Sequence, residues 1–333
     1  MKNDRINVSA RNGFRLFKNR MEVDATVLFA KNTALSGNYP QYGVLYDRLA
    51  DEQGTPLSIG GRTDFRQSYV DTAGGGMLKD WNYRPLDEIY TKQVSDEQTT
   101  YQLGTSISYR PLNWVGARLT YLYAYGNRIR NDYDMPNSYA VRNDANKFSR
   151  IDDMAGAVDS AIPEGGRLDW LTDTYQSNHL RGQINIAKEW HHDHRVDATL
   201  GGEISLRNTL YQSSPTWHGY QKQTETHTPV DYNARYPQYH TGGQLAIPGR
   251  PNATRETTTD RNRLFFVNMS YGYAGRYTVT VSGRKDASNI FGARTNRRGR
   301  PFWSVGVLWN AHREPFYDLD WLTRLSIRLT NGY

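Results

Sequence analysis

Alternation of polar and apolar side chains is the dominant pattern along this chain. Arg276 to Arg284 reads R-Y-T-V-T-V-S-G-R. Successive side chains on a strand point to opposite faces, which puts Tyr277, Val279, Val281 and Gly283 on one face and Arg276, Thr278, Thr280, Ser282 and Arg284 on the other. The same period of two predicts strands at 3–13, 21–31, 100–110, 115–126, 175–190, 195–208, 262–273, 276–287, 301–310 and 322–332. In the sixth, Val196, Ala198, Leu200, Ile204 and Leu206 oppose Arg195, Asp197, Thr199, Glu203, Ser205 and Arg207.

Alternation alone also fits a soluble sandwich whose apolar face turns to a core. The connections discriminate. Short links at 14–20, 111–114, 191–194 and 274–275 take turns with long ones at 32–99, 127–174 and 209–261. All tight turns then lie on one rim and all long loops on the other, the asymmetry of a membrane β-barrel. The rhythm weakens at 288–300 and 311–321. Tyr109, Trp114, Trp190, Tyr273, Tyr277, Trp309 and Trp321 lie towards the short-link ends, where an interfacial aromatic girdle belongs. The expected fold is an all-β, antiparallel transmembrane β-barrel. Residues 1–333 read as one barrel domain, without internal repeat or linker.

Composition changes this picture little. With 37% hydrophobic residues and a mean hydropathy of −0.78, the chain has no apolar run long enough for a helical span. The 24 Tyr and 8 Trp suit a barrel, although carbohydrate-binding β-proteins are aromatic-rich too. The chain has no Cys, which excludes a disulfide-stapled fold and thiolate metal sites. The net charge of +7 is spread over strands and loops without a dense basic run, so nucleic acid is not an expected partner. Met1 is followed by polar residues and strand pattern rather than a charged-then-apolar leader, so either an exported protein is represented here in mature or partial form or the export reading is wrong.

Few residues carry candidate chemistry. His191-His192-Asp193-His194 sits in a turn, where consecutive side chains diverge. Asp132, Asp134, Asn137 and Asp144 are oxygen ligands suited to Ca²⁺, but their spacing is not that of an EF-hand loop, and no cofactor is expected. Gly74-Gly75-Gly76 lacks the Lys-Ser/Thr of a phosphate loop. Ser160, Asp159 and Glu164 show no nucleophile elbow, and no catalytic constellation emerges. The long loop at 209–261 offers Trp217, Tyr220, Tyr232, Tyr236 and Tyr239 as flat stacking surfaces for a sugar or peptide; alternatively they pack the loop on itself.

Several segments carry a family likeness. Arg284-Lys285-Asp286-Ala287-Ser288-Asn289-Ile290-Phe291-Gly292 resembles the R-x-D-x-S-x-x-F-G motif of SusC/RagA TonB-dependent outer-membrane transporters. It is followed at similar spacing by Pro301 to Trp309, then Glu314 and Phe316, with Trp321, Leu325, Arg328 and Gly332 beyond. His179 to Asn185, Gly201-Gly202-Glu203 and Leu264 to Asn268 resemble the family's hairpins. The resemblance implies a plugged barrel of roughly 22 strands, of which the ten read here are under half, a partial barrel whose two open edges lipid cannot hydrogen-bond. It implies import of oligosaccharides or peptides across the outer membrane of a Gram-negative, Bacteroidetes-like bacterium. It also implies a SusD-like surface lipoprotein as lid and energy from the TonB complex. No plug, TonB box or final strands are recognisable, so TonB would act through parts missing here. The runner-up reading is a soluble or surface glycan-binding β-protein without transport activity. A secreted hydrolase would need a carboxylate pair that the residues do not identify.

Overall fold

In the computed structural model, residues 2–37, 46–59, 65–152, 154–289 and 301–333 are described. Ten long strands form one antiparallel meander: β1 Lys2–Leu16, β2 Met21–Gly37, β3 Lys92–Leu112, β4 Val115–Asp134, β5 Gly166–Trp190, β6 His194–Ser213, β7 Thr254–Tyr273, β8 Tyr277–Ser288, β9 Pro301–Trp309 and β10 Ile327–Gly332. Each strand pairs with its neighbours in sequence. β1 and β10 form the two open edges among the described residues.

Register turns the alternation into a two-faced wall. Cross-strand partners share a face, and one row runs Leu16–Met21–Tyr109–Ala117–Ile184–Leu200–Val267–Gly283–Trp303 across nine strands. Ile184, Leu200 and Val267 in that row are each 41% exposed, so the apolar face covers no core. From Leu180 to Trp190, this outward face of β5 is about ten residues tall, which at the usual tilt spans roughly 25 Å, the height of a hydrocarbon band. An unburied apolar surface this large does not favour an ordinary soluble sandwich.

The opposite face is polar and internally paired. Arg11 meets Asp24 at 3.1 Å, and His179 and Arg181 reach Glu203 at 2.7 and 3.8 Å. The Arg181 guanidinium lies 5.1 Å over the Phe266 ring, whose edge lies against Gly201. A Cβ at Gly201 would come within 2.6 Å of that ring, which explains the glycine in the family-like segment. Arg284 donates to both oxygens of Asp286 at 2.8 Å, because residues two apart on a strand share a face. Ile290 to Gly292, the end of that motif, lie outside the described residues.

One rim carries tight turns. Ala274 and Gly275, at φ 51° and 65°, reverse the chain between β7 and β8 in the left-handed region that glycine tolerates. Aromatic rings gather there: Trp190 stacks on His194 at 5.4 Å, His194 lies 5.1 Å from Tyr273, and Lys188 sits 4.6 Å over Trp114. Tyr277 and Trp309 both donate to Glu314. His191 and His192 occupy the β5–β6 turn at positive φ, apart from this stack.

The largest difference from the sequence-based expectation is strand length. β3 begins at Lys92, β4 runs to Asp134, β5 begins at Gly166, β6 ends at Ser213 and β7 begins at Thr254, so the long loops shorten to 38–91, 135–165 and 214–253. Beyond the apolar band most residues on both faces of a strand are polar. The ladder hydrogen bonds continue where the alternation stops. Conversely, β10 begins only at Ile327, because 310–326 forms a folded link around the short helix Ala311–Arg313.

Candidate functional site

The long loops fold together above the wall into a layer with its own core. Helix Tyr139–Lys147 is its centrepiece, started by Ser138, whose hydroxyl accepts from the Val141 N–H. Its buried Asn146 joins the loop after β2, accepting from the Lys79 N–H at 3.0 Å and donating to the Lys79 carbonyl at 2.8 Å. Trp81 donates to Asn143 at 2.9 Å. Glu88, 3% exposed, is satisfied by the Tyr139 N–H, Arg142 and the Thr91 hydroxyl. Ala145, Phe148, Ile162 and Ile247 close the core from two loops.

Ion pairs attach this layer to the wall. Arg167, on the inward face of β5, reaches Asp134 at 2.7 Å and Asp144 at 2.9 Å. Burial pushes the Asp144 carboxyl above its ordinary pKa, and the guanidinium partly opposes that rise. Asp132 pairs with Arg130 at 3.2 Å. The carboxylates considered for Ca²⁺ therefore face arginines, and Arg167 supplies the cation between two of them.

The five loop aromatics do not converge. Tyr232 donates to the Thr216 carbonyl; burial, with the Asp169 charge nearby, pushes its hydroxyl up to about 12. Tyr236 packs on the helix-centred core beside it. Tyr239 accepts from the Gly74 N–H at 2.9 Å and lines a cleft of about 530 Å³ between three loops, together with Gly75, Met77, Arg150 and Gln238. The Tyr239 N–H donates to the Lys147 carbonyl at the helix end at 2.9 Å, and Asp144 on that helix pairs with Arg167, so this cleft is tied through the helix to the inward face of β5.

Trp217 and Tyr220 lie elsewhere. After Ser214-Pro215-Thr216 the chain resumes pairing with β5 over Trp217–Tyr220, with Trp217 opposite Leu168 and His218 opposite Arg167. Trp217 therefore takes the same face as Leu168 and Tyr133, the outward one. Buried His218 takes the inward face; burial depresses its pKa, and Nε2 lies 2.9 Å from the Pro248 carbonyl oxygen. Trp170, Tyr133 and Arg150 were not singled out from sequence. The alternation Ile129-Asn131-Tyr133 facing Leu168-Trp170 was the available signal, hidden because polar residues flank it on both faces. A further concavity of about 520 Å³ lies on the inward wall among Arg181, Phe266, Ser282, Arg284 and Phe302.

The fold has known counterparts. The chain superposes on the RagAB peptide transporter with a TM-score of 0.63 at 15% identity. It superposes on the RagAB peptide importer in the closed-closed state (TM-score 0.64, 14% identity) and in the open-open state (TM-score 0.64, 16% identity). Each match covers 98% of this chain and 32% of the other, so the chain spans about a third of these transporter chains. No protein-family model matches the sequence. No curated protein matches it either. The likeness is one of fold: an antiparallel β-wall with long connecting loops.

Proposed function

We propose that this chain is a section of the wall and surface loops of a SusC/RagA-type, TonB-dependent importer in a bacterial outer membrane. The single observation that carries this reading is the two-faced meander, apolar outward and polar inward, superposing over nearly its whole length on peptide importers. Cargo is an oligomer, with peptides favoured over oligosaccharides by the structural neighbours. It is captured on the lumen side of the loop layer under a SusD-like lipoprotein and drawn inward by TonB acting through other parts of the protein. Among the five loop aromatics, Tyr239 is the cargo contact, joined by Arg150 and Gln238 in the inter-loop cleft. Tyr232 and Tyr236 hold the loop that carries it. The runner-up, a soluble glycan-binding protein, is disfavoured by the uncovered apolar face.

Membrane placement has a face-specific consequence. In the whole protein reconstituted into liposomes, Met269→Arg on the outward face should cost about 2–4 kcal/mol, whereas Asn268→Arg on the inward face should cost under about 1 kcal/mol. Urea titration followed by heat-modifiable migration measures both. Equal effects would remove the lipid assignment.

Import itself is tested with cells expressing the whole protein and its lipoprotein partner. Labelled oligopeptides should accumulate, and accumulation should stop when TonB is deleted. Arg150→Ala and Tyr239→Ala should weaken half-saturation by about tenfold, the loss of roughly one charged or stacking contact. TonB-independent uptake would contradict the proposal.

A further inference from the structure

We infer that the outward-facing cleft at the top of β4 and β5 is a binding site for a neutral pyranose glycan, separate from the import path. This rests on the reading of the wall as a barrel with its apolar face towards lipid. The ladders from Tyr121/Leu180 up to Tyr133/Leu168 run without a register shift. Facing is therefore preserved from the apolar band to the cleft: Asn131, Tyr133, Leu168 and Trp170 all point away from the lumen. Loop aromatics expected to serve cargo, Trp217 and Tyr220, are thus turned to the barrel exterior.

The cleft has the chemistry of a sugar subsite. It encloses about 440 Å³, within the range of small-ligand sites. Tyr133 and Tyr220, 8% and 9% exposed, form a floor with ring centroids 5.6 Å apart at 77°. Trp170 stands edge-on to Trp217 at 6.3 Å and 75°, and Trp217, which also lines the cleft, is held by its stack on His227 at 4.4 Å. Half-buried Trp170 offers a flat apolar platform, which suits the C–H face of a pyranose. Amide and hydroxyl groups of Asn131 and Ser95 border the cleft for sugar hydroxyls. Charge is balanced: Lys222, held by the Gln93 side chain at 2.7 Å, and Glu225 both line the cleft. That balance selects a neutral ligand over a peptide terminus or phosphate. Height excludes an acyl chain. Trp170 is ten residues above Leu180, the top of the apolar band, which places it roughly 25 Å beyond the hydrocarbon.

Such a glycan has two possible sources, a neighbouring surface glycolipid or a free oligosaccharide, and the two arms of the test separate them. The whole protein in detergent is titrated with the neutral hexose part of lipopolysaccharide core oligosaccharide, freed of lipid, phosphate and acidic sugars, and, separately, with maltohexaose. At least one probe should bind. Trp170→Ala should weaken it about tenfold or more, and Trp170→Phe, which keeps a ring, by less than about threefold. Asn131→Ala should also weaken it. Heat-modifiable migration shows that each variant remains folded. Core oligosaccharide alone binding identifies the membrane source, and maltohexaose alone the free one; both outcomes support the site. The inference is overturned if neither probe binds at about 10 mM, or if Trp170→Ala binds like the parent. It is also overturned if Trp170→Ala abolishes cargo uptake, since the cleft would then belong to the import path. Absent uptake in the parent protein would count against the import proposal and leave the glycan result standing.

Discussion

Expressed as an isolated polypeptide, residues 1–333 are expected to fail to form a heat-modifiable, stable barrel in detergent or lipid. The reason is the pair of open edges. β1 offers one whole side of a 15-residue strand, and β10 one side of a six-residue strand. In an antiparallel ladder alternate residues direct both backbone groups to the same side, so a span of about ten residues leaves on the order of ten unpaired groups on β1 alone. Each costs several kcal/mol in hydrocarbon, so the edge penalty reaches tens of kcal/mol and exceeds the roughly 5–15 kcal/mol stability of a typical domain. Comparing migration with and without boiling, for this segment and for a longer polypeptide that supplies partners to both edges, checks the claim. A segment that closes β1 onto β10 by itself and migrates as a compact barrel would defeat it.

The second large effect is expected at Arg167. Its guanidinium bridges Asp134 on β4 and Asp144 on the loop helix, and the two carboxylate side chains are only 9% and 15% exposed. Arg167→Met leaves Asp144 without its guanidinium and Asp134 with only Lys92, 3.6 Å away, a loss of about 3 kcal/mol, the low end for broken buried pairs. That energy belongs to the attachment of the loop layer rather than to the membrane band. Amide exchange in 135–165 should therefore accelerate on the order of a hundredfold or more, while the strands below Leu180 remain protected. Adding Asp144→Asn to Arg167→Met should recover part of the protection, because it removes one of the uncompensated charges. Arg167→Lys should fall between, since an ammonium lacks the planar fork that serves two carboxylates. Exchange in 135–165 unchanged within a factor of about three in Arg167→Met would show that the helix core alone holds the layer.

The reading of the wall depended on where water and lipid act on each residue. All ten strands were legible because the band between the aromatic rim and Leu180 must be apolar on one side and is polar on the other. That constraint writes a period of two into segments such as Arg276 to Arg284. Above the band it lapses. Thr254 to Arg261 is a strand held by ladder hydrogen bonds with no hydrophobic pattern to reveal it, and Gly166 to Thr174 has only the short alternation Leu168-Trp170 among polar residues. They read as loop for that reason. The motif around Arg284 and Asp286 was visible as residue spacing, and its physical content, a same-face ion pair on the inward wall, follows from strand geometry.

Site chemistry was less legible. From sequence, Trp217, Tyr220, Tyr232, Tyr236 and Tyr239 are one aromatic group in one loop. Only the fold distributes them, because their destinations are set by long-range partners. Tyr239 meets Gly74 from the loop after β2, Tyr232 turns inward to Thr216, and Trp217 is placed outward by its register against Leu168. Likewise, spacing could suggest that Asp134 and Asp144 share a ligand, but the partner that reaches them is Arg167, from a strand more than twenty residues further on. Alternation is a local property, imposed residue by residue by the medium on each side of a strand, and the sequence alone determined the two-faced wall. Which loop aromatics face the lumen and which the exterior depends on contacts between segments far apart in the chain, and that was decided only when those segments folded together.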